Sequence, residues 1–376
     1  MIRILHTADW QMGLRARHVA NAAAAVRAAR MDSARQLIQS ANALGVDAVV
    51  LAGDVFEDTS VGDRLVHELL TVLQDSRAPV YVLPGNHDPL TPDSVYLRAS
   101  WRGRPAHIRM LESDSGVPIP GTNGVLLPAP LRHKSGMRDP TAGWAPRVEG
   151  NDIRIGVAHG SLRIEGKYAS DDFPIALDAV TRSNLDYLAL GHWHSHYVYQ
   201  QRTAYAGSHE VTKFGETGAG QALLVEIASH GAIPQLTPVS TGLLTWQAQE
   251  LDLSQGCGLE LARIRQAVAA LPHPGKTLLR LHTLGTSSDE DSVALTALVD
   301  ELWGKGFLHV ELERQDVSRA NAEGRLAELA PSSDLLTALL KQLSRNEPPP
   351  GPTATTDTVR AEARHLLAEL AMEVWK

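Results

Sequence analysis

The sequence predicts an α/β fold: a two-sheet β-sandwich core flanked by helices, then a small βαβαβ domain and C-terminal helices. Short β-rich runs alternate with helical stretches as far as Gly85, an order that implies parallel strands covered by helices. Strand-like runs then dominate up to Val239, and a pair of sheets is the simplest core that holds both halves. After Val239 the texture changes to a second, shorter alternating unit.

The elements follow in order. Ile2 to Leu5 is a continuous apolar run, as a buried strand requires. Ala22 to Leu44 is Ala-rich, with Val26, Met31, Ala34, Leu37, Ile38 and Ala41 at helical spacing and Gly45 as a stop signal. Asp47 to Gly53 reads as the second strand, Val61 to Leu73 as the second helix and Pro79 to Gly85 as the third strand. Pro- and Gly-rich sequence from Pro118 to Pro146 suits surface loops around a short strand, GVLLPAP. RIGVAHG, DYLALGH, HYVYQ, TAYAGS, ALLVEI and IPQLTPV supply the later strands.

The next unit comprises LTWQAQELDL, LELARIRQAVAAL, KTLLRLHTL, DSVALTALVDELWGKG and FLHVELERQDV, in the order strand, helix, strand, helix, strand. Two amphipathic segments, Ser332 to Ser344 and Asp357 to Trp375, are separated by a Pro-rich linker at 347–356 that cannot be helical. The expected domains are 1–240, 241–318 and 319–376.

A net charge of −8 argues against a solitary, high-affinity nucleic-acid binder. The single cysteine, Cys257, excludes an internal disulfide and a cysteine-only zinc site, and suits a reducing compartment. Its expected role is that of an inert small hydrophobe. No signal peptide fits ahead of the first strand and no apolar run is long enough for a bilayer, so a soluble cytoplasmic protein without membrane contact is expected. Twelve of the 16 histidines lie in the first 240 residues, which points to chemistry there.

That chemistry collects where strands end. Asp9-Trp10-Gln11 follows the first strand, Gly53-Asp54 the second and Gly85-Asn86-His87-Asp88 the third; Ala158-His159-Gly160 and Gly191-His192-Trp193-His194 come later. Neighbouring glycines let the backbone turn sharply and let side chains crowd. Carboxylate, amide and imidazole donors together suit Mn²⁺, Fe²⁺ or Zn²⁺. Residues at i and i+2, such as His192 and His194, can serve two adjacent ions, and a two-metal centre activates a bridging water for in-line attack on a phosphoester. Each element alone has a blander reading as a turn, a helix cap or a hydrogen-bonded loop histidine. Five of them in this order, at strand ends of one α/β segment, favour the metal site.

This pattern resembles the calcineurin-like metallophosphoesterase superfamily. The strings ILHTADWQMG, LAGDVFED, VLPGNHD, LGHWH and YAGSHEVTKFGE are similar to SbcD-type DNA-repair nuclease subunits over about the first 240 residues. The resemblance implies a divalent-metal-dependent DNA exonuclease or endonuclease acting at DNA ends in double-strand-break repair. By position it implies Asp9, Asp54 and His194 for one ion, and Asp54, Asn86, His159 and His192 for the second, with Asp54 bridging. The implied ions are Mn²⁺, with Mg²⁺ as the alternative. His87 matches the family residue that meets the scissile phosphate, where it would stabilise developing charge or protonate the leaving oxygen.

One departure stands out. The usual Asp-x-His is here Asp9-Trp10-Gln11, so either Gln11 ligates weakly through its amide oxygen or a water takes that place. Around the motifs, Trp10, Arg15, Arg17, His18, Glu57 and His196 are substrate-contact candidates. Ordinary packing is the default reading of Trp10, and solvated charge that of Arg15, Arg17, His18 and Glu57; His196 either lies in a strand or faces the groove. Trp193 likewise either packs or stacks on a base, and His6 is expected to be a hydrogen-bonded core residue.

In the resembling family the C-terminal helices bind the coiled-coil base of an SMC-like ATPase. The stripes Leu335, Leu336, Leu339, Leu340, Leu343 and Val359, Leu366, Leu367, Leu370, Val374 suit such docking, or docking on the chain itself. DNA ends, the ATPase and a second copy of the chain are the expected partners. Two other functions fit the motifs: a hydrolase of small phosphodiesters or phosphoproteins, and a non-catalytic DNA-end scaffold with a weakened metal site.

Overall fold

The computed structural model describes residues 1–146, 150, 152–319, 334–343 and 367. The expected linker at 347–356 and, apart from Leu367, the expected helix from Asp357 to Trp375 lie outside the described residues. The chain divides into two compact units, Met1–Trp246 and Gln247–Lys376.

The first unit is built on two six-stranded sheets. In the first sheet, β1 (Ile2–Thr7), β2 (Ala48–Ala52), β3 (Val80–Leu83) and β4 (Ile108–Met110) run parallel. In the second sheet, a short β5 (Val117–Pro118) lies against β6 (Gly124–Ala129), β7 (Ile153–His159) and β8 (Tyr187–Gly191), of which the last three are parallel. β9 (Tyr197–Tyr199) and β10 (Thr203–Tyr205) complete that sheet in the order β5-β6-β7-β8-β10-β9. β11 (Gln221–Ile227) and β12 (Gln235–Ser240) return to the first sheet, where β11 lies antiparallel to β1 and makes it mixed.

The sheets bury their inner faces on each other. Ile4, Val50 and Leu83 meet Ile155, Val157 and Ala189 in one apolar layer, all fully buried. Such side chains contribute about 1.5–3 kcal/mol each to folding, which is why these strands read as near-continuous apolar runs. On the outer face of the first sheet lie α1 (Ala23–Leu44) and α2 (Asp63–Leu73), with the short α3 (Ala99–Arg102) beside them. Val26, Ala34, Leu37, Ile38 and Ala41 form the buried stripe of α1, and Gly45 ends it with φ 60°, a left-handed conformation that favours glycine. The outer face of the second sheet is covered by loops and the short α4 (Ala179–Arg182), through Trp144, Ile175 and Ala179.

The second unit takes the predicted strand–helix alternation: β13 (Thr245–Asp252), which begins at the end of the first unit, α5 (Cys257–Ala269), β14 (Thr277–Ser287), α6 (Asp289–Gly304) and β15 (His309–Arg319). Its sheet order is β13-β14-β15, with β14 and β15 parallel. Leu251, Ile264, Leu279, Leu281, Leu298 and Leu302 form its core. Ser288 and Asp291 close a reciprocal capping box at the start of α6. Cys257 is partly buried, and burial together with Asp291 pushes its thiol up to about 11, so it is unreactive at neutral pH. α7 (Asp334–Leu343) carries Leu335 and Leu339 of the expected apolar stripe. Among the described residues no helix is long and apolar enough to cross a membrane.

Candidate metal centre

The carboxyl ends of β1, β2, β3, β7 and β8 bring the motif loops to one place. Close approach is possible because glycine flanks them: a Cβ on Gly85 would lie 2.1 Å from Asp54 Oδ1, and one on Gly53 would lie 2.1 Å from His159 Nδ1. Asp9, Gln11, Asp54 and His192 all have positive φ, at 56°, 38°, 53° and 109°. Non-glycine residues adopt this region at a cost of about 1–3 kcal/mol and keep it where the surroundings over-determine it. Here Asp9 N–H donates to Gly53 C=O (3.1 Å), Gln11 N–H to Asp54 C=O (2.9 Å), and His192 N–H to both oxygens of Asp9 (3.0 and 3.1 Å).

The side chains then converge. One ligand atom each from Asp9, Asp54 and His159 lies within 4.8 Å of the others, and all three residues are buried. His159 Nδ1–H donates to Ala52 C=O (2.9 Å), which leaves Nε2 facing Asn86 Oδ1 (2.9 Å) and Asp54 Oδ2 (3.3 Å). His192 Nε2–H donates to Asp172 (2.7 Å), leaving Nδ1 facing the same Asn86 oxygen at 3.0 Å. With both imidazoles neutral, a carboxylate, an amide oxygen and two imidazole lone pairs crowd together. A cation, or a proton on one of the rings, satisfies such a set, and its mixed hard and borderline donors suit a divalent ion.

The protonation states agree. Burial disfavours a charge on His159, yet the Asp54 carboxylate beside it outweighs this and lifts the imidazole to about 9. In the absence of metal, a proton takes the cation's part. For Asp54 burial acts upward, but His159 and His87 hold it well below the usual carboxylate range. Asp9 is raised by burial.

The other expected ligand, His194, is held from behind. Its Nδ1–H donates to Glu216 Oε1 (2.6 Å), so Nε2 carries the free lone pair. Gln11 is buried beside Asp54 through its backbone, with 5% of the residue exposed. His87 is more open: its Nδ1–H donates to Glu57 C=O (2.8 Å), while Nε2 stands 3.9 Å from Asp54 Oδ2. Next to it, Asp88 shapes the loop by accepting from Gly85 N–H, Phe56 N–H and the Tyr96 hydroxyl.

The substrate candidates fare differently. Trp10 is a correction: it is fully buried, its indole N–H donates to Thr7 (2.8 Å) and its ring packs on His209, so it offers no face to a base. His18 is exposed but committed to Thr212 C=O (3.1 Å) and stacked on Trp246. Arg15 and Arg17 are exposed. Glu57 meets His87 through its carbonyl, and burial raises its half-buried carboxyl. His196 donates to Tyr205 C=O (3.0 Å) and lines a cavity of about 580 Å³ with His192, His194, Trp193, Tyr197 and Lys167. Trp193 stacks on Tyr205 at 4.5 Å and donates to Ser161. His6 is a core residue bonded to the Tyr187 hydroxyl (2.8 Å).

Three residues that sequence reasoning missed support the centre. Glu216 and Asp172 sit behind His194 and His192. Arg30 of α1 is 2% exposed and donates to the carbonyls of Asp9, Trp10 and Glu210. Glu216 lay inside the string YAGSHEVTKFGE; Asp172 and Arg30 gave no sequence signal.

Two mixed sheets with carboxylate, amide and imidazole donors converging at their strand ends suit a metal-dependent hydrolase. The family model for calcineurin-like phosphoesterases matches residues 2–196, and the chain belongs to that family. It is 25% identical over 296 residues to the SbcD subunit of the SbcCD nuclease of Bacillus subtilis, covering 66% of this chain and 72% of that protein. The same subunit of Escherichia coli K12 is 26% identical over 274 residues, covering 62% and 66%. DNA double-strand break repair protein Mre11 of Halobacterium salinarum is 36% identical over 91 residues, covering 23% and 22%.

Proposed function

We propose that the chain is a divalent-metal-dependent DNA nuclease that hydrolyses phosphodiester bonds at DNA ends. The convergence of acceptor atoms from Asp54, Asn86, His159 and His192 carries this reading, and similarity to two nuclease subunits and a DNA break-repair protein supports DNA as the substrate class. Asp9, Asp54 and His194, with Gln11 as a weak fourth, would hold one ion; Asp54, Asn86, His159 and His192 would hold the other. Two ions held there would supply positive charge to the phosphoryl oxygens and would acidify the attacking water. His87 stands at the open side, where it stabilises charge on the scissile phosphate or gives a proton to the leaving oxygen. Because its Nδ1–H is committed to Glu57 C=O, Nε2 is the atom that would meet substrate, and only the imidazolium form, with a second proton on Nε2, could supply that proton or charge.

The net charge of −8 is accommodated if the DNA grip comes mainly from a partner. We assign that role to an SMC-like ATPase docked on the C-terminal segment at 319–376, with a second copy of the chain completing the assembly. Cosedimentation with and without residues 325–376 tests the tail; an unchanged complex would contradict it. Substrate class is tested by parallel assays on DNA and on a nitrophenyl phosphodiester. A nuclease cleaves DNA far faster per active site, whereas preference for the small ester would place the chain among small-molecule phosphodiesterases.

A further inference from the structure

The two histidines of the 191–194 loop share an arrangement. Behind His194, Glu216 is locked: Oε1 accepts from the ring N–H (2.6 Å) and from the Thr212 hydroxyl, and Oε2 accepts from Thr212 N–H (2.6 Å) and Lys213 N–H (3.3 Å). Its side chain is only 3% exposed. Behind His192, Asp172 Oδ1 accepts from the ring at 2.7 Å, while Oδ2 accepts from the Ser161 hydroxyl, which in turn receives the Trp193 indole N–H at 2.9 Å.

We propose that Glu216 and Asp172 are positioning residues, each anchoring the N–H on the far side of one histidine so that the opposite ring nitrogen faces a divalent cation. The inference rests on the two-ion reading above and assigns one carboxylate to each ion. A carboxylate behind a ligating imidazole fixes the tautomer and raises the basicity of the metal-facing nitrogen. Four donors converge on Glu216, so it can hold His194 in one orientation. The residue at position 11 gives this added weight: with Gln11 where the family pattern has histidine, His194 is the sole imidazole expected at the first ion. Affinity there then depends on Glu216 more than it would with two imidazoles.

The test is calorimetric titration of the full chain with Mn²⁺, with free ion followed by electron paramagnetic resonance. Wild type is expected to bind two ions in distinguishable steps, the Gln11 site being the weaker. Glu216→Gln should weaken that step about 10–100-fold and leave the tighter one unchanged; Asp172→Asn should weaken the tighter step by a similar factor. Melting temperatures of the metal-free variants are expected to stay close to wild type. If Glu216→Gln fails to fold, Thr212→Val, which removes one donor to Glu216 and keeps its charge, should weaken the same step by a smaller factor.

Constants unchanged in both variants would overturn the proposal, as would parallel loss of both steps together with a lowered melting temperature. A wild type that binds fewer than two ions would instead overturn the metal-site reading beneath it, before any variant is compared.

Discussion

His159 Nε2 stands 3.3 Å from Asp54 Oδ2, with the opposite ring nitrogen bound to the Ala52 carbonyl. The pair lies fully inside the protein, so its proton is linked to folding. The pKa of His159 is raised from 6.5 to about 9 on folding. A raised value stabilises the fold fully below about 6.5 and loses that contribution as pH climbs through about 9. At His194 burial opposes the charge but the bond to Glu216 outweighs it, so this histidine is raised too and adds in the same sense. In a chelator, the melting temperature is therefore expected to fall between pH 6.5 and 9. With Mn²⁺ present the fall should shrink, because the cation replaces the proton. Calorimetric melts across that range check both.

Asp54 is the bridging candidate, and its carboxylate meets both His159 and the His87 backbone N–H. Asp54→Asn keeps the shape and removes the charge. We expect kcat to drop by at least about 10³-fold, with Mn²⁺ affinity reduced at both steps in a titration.

For His87 the expected signature is different. His87→Ala should lower kcat by about 10²–10⁴-fold and leave Mn²⁺ binding largely intact, because its side chain is 38% exposed, its Nδ1–H is spent on the Glu57 carbonyl and its Nε2 stands 3.9 Å from Asp54. Loss of metal along with rate would reassign it to the ion site.

Gln11→His restores the family pattern. It should tighten the weaker Mn²⁺ step by about tenfold, equivalent to about 1.4 kcal/mol, and lower the Mn²⁺ concentration for half-maximal activity in parallel. An unchanged titration would mean that position 11 does not reach the ion.

Arg30 donates to the Asp9 and Trp10 carbonyls, beside the left-handed backbone at Asp9 and Gln11. Arg30→Met leaves buried carbonyls without donors, at a cost of about 1–3 kcal/mol. Denaturant melts should show this, accompanied by weaker Mn²⁺ binding because Asp9 and Gln11 lose their support.

Local signals were legible in the sequence. Apolar runs placed β1, β2 and β3, spacing placed α1, Gly45 marked its end, and the loops after those strands carried Asp9, Asp54 and Asn86. What failed was long-range. Periodicity gives no strand order, so nothing in ALLVEI indicated that β11 would pair antiparallel with β1. Asp172 and Glu216 come from loops remote in sequence from one another, and a lone carboxylate in a loop looks like solvated charge until a histidine is seen beside it. Trp10 could be read either as packing or as a stacking face for substrate, and its burial in the core decides for packing.

Whether this centre is a metal-dependent nuclease is decided by digestion of end-labelled duplex and single-stranded DNA in Mn²⁺, by wild type and by Asp54→Asn, with the proposed ATPase partner present and absent. Wild type is expected to cleave, a chelator to abolish the cleavage and Asp54→Asn to lack it. Failure of wild type to cut either substrate in Mn²⁺ or Mg²⁺, with the partner present, would contradict the nuclease assignment.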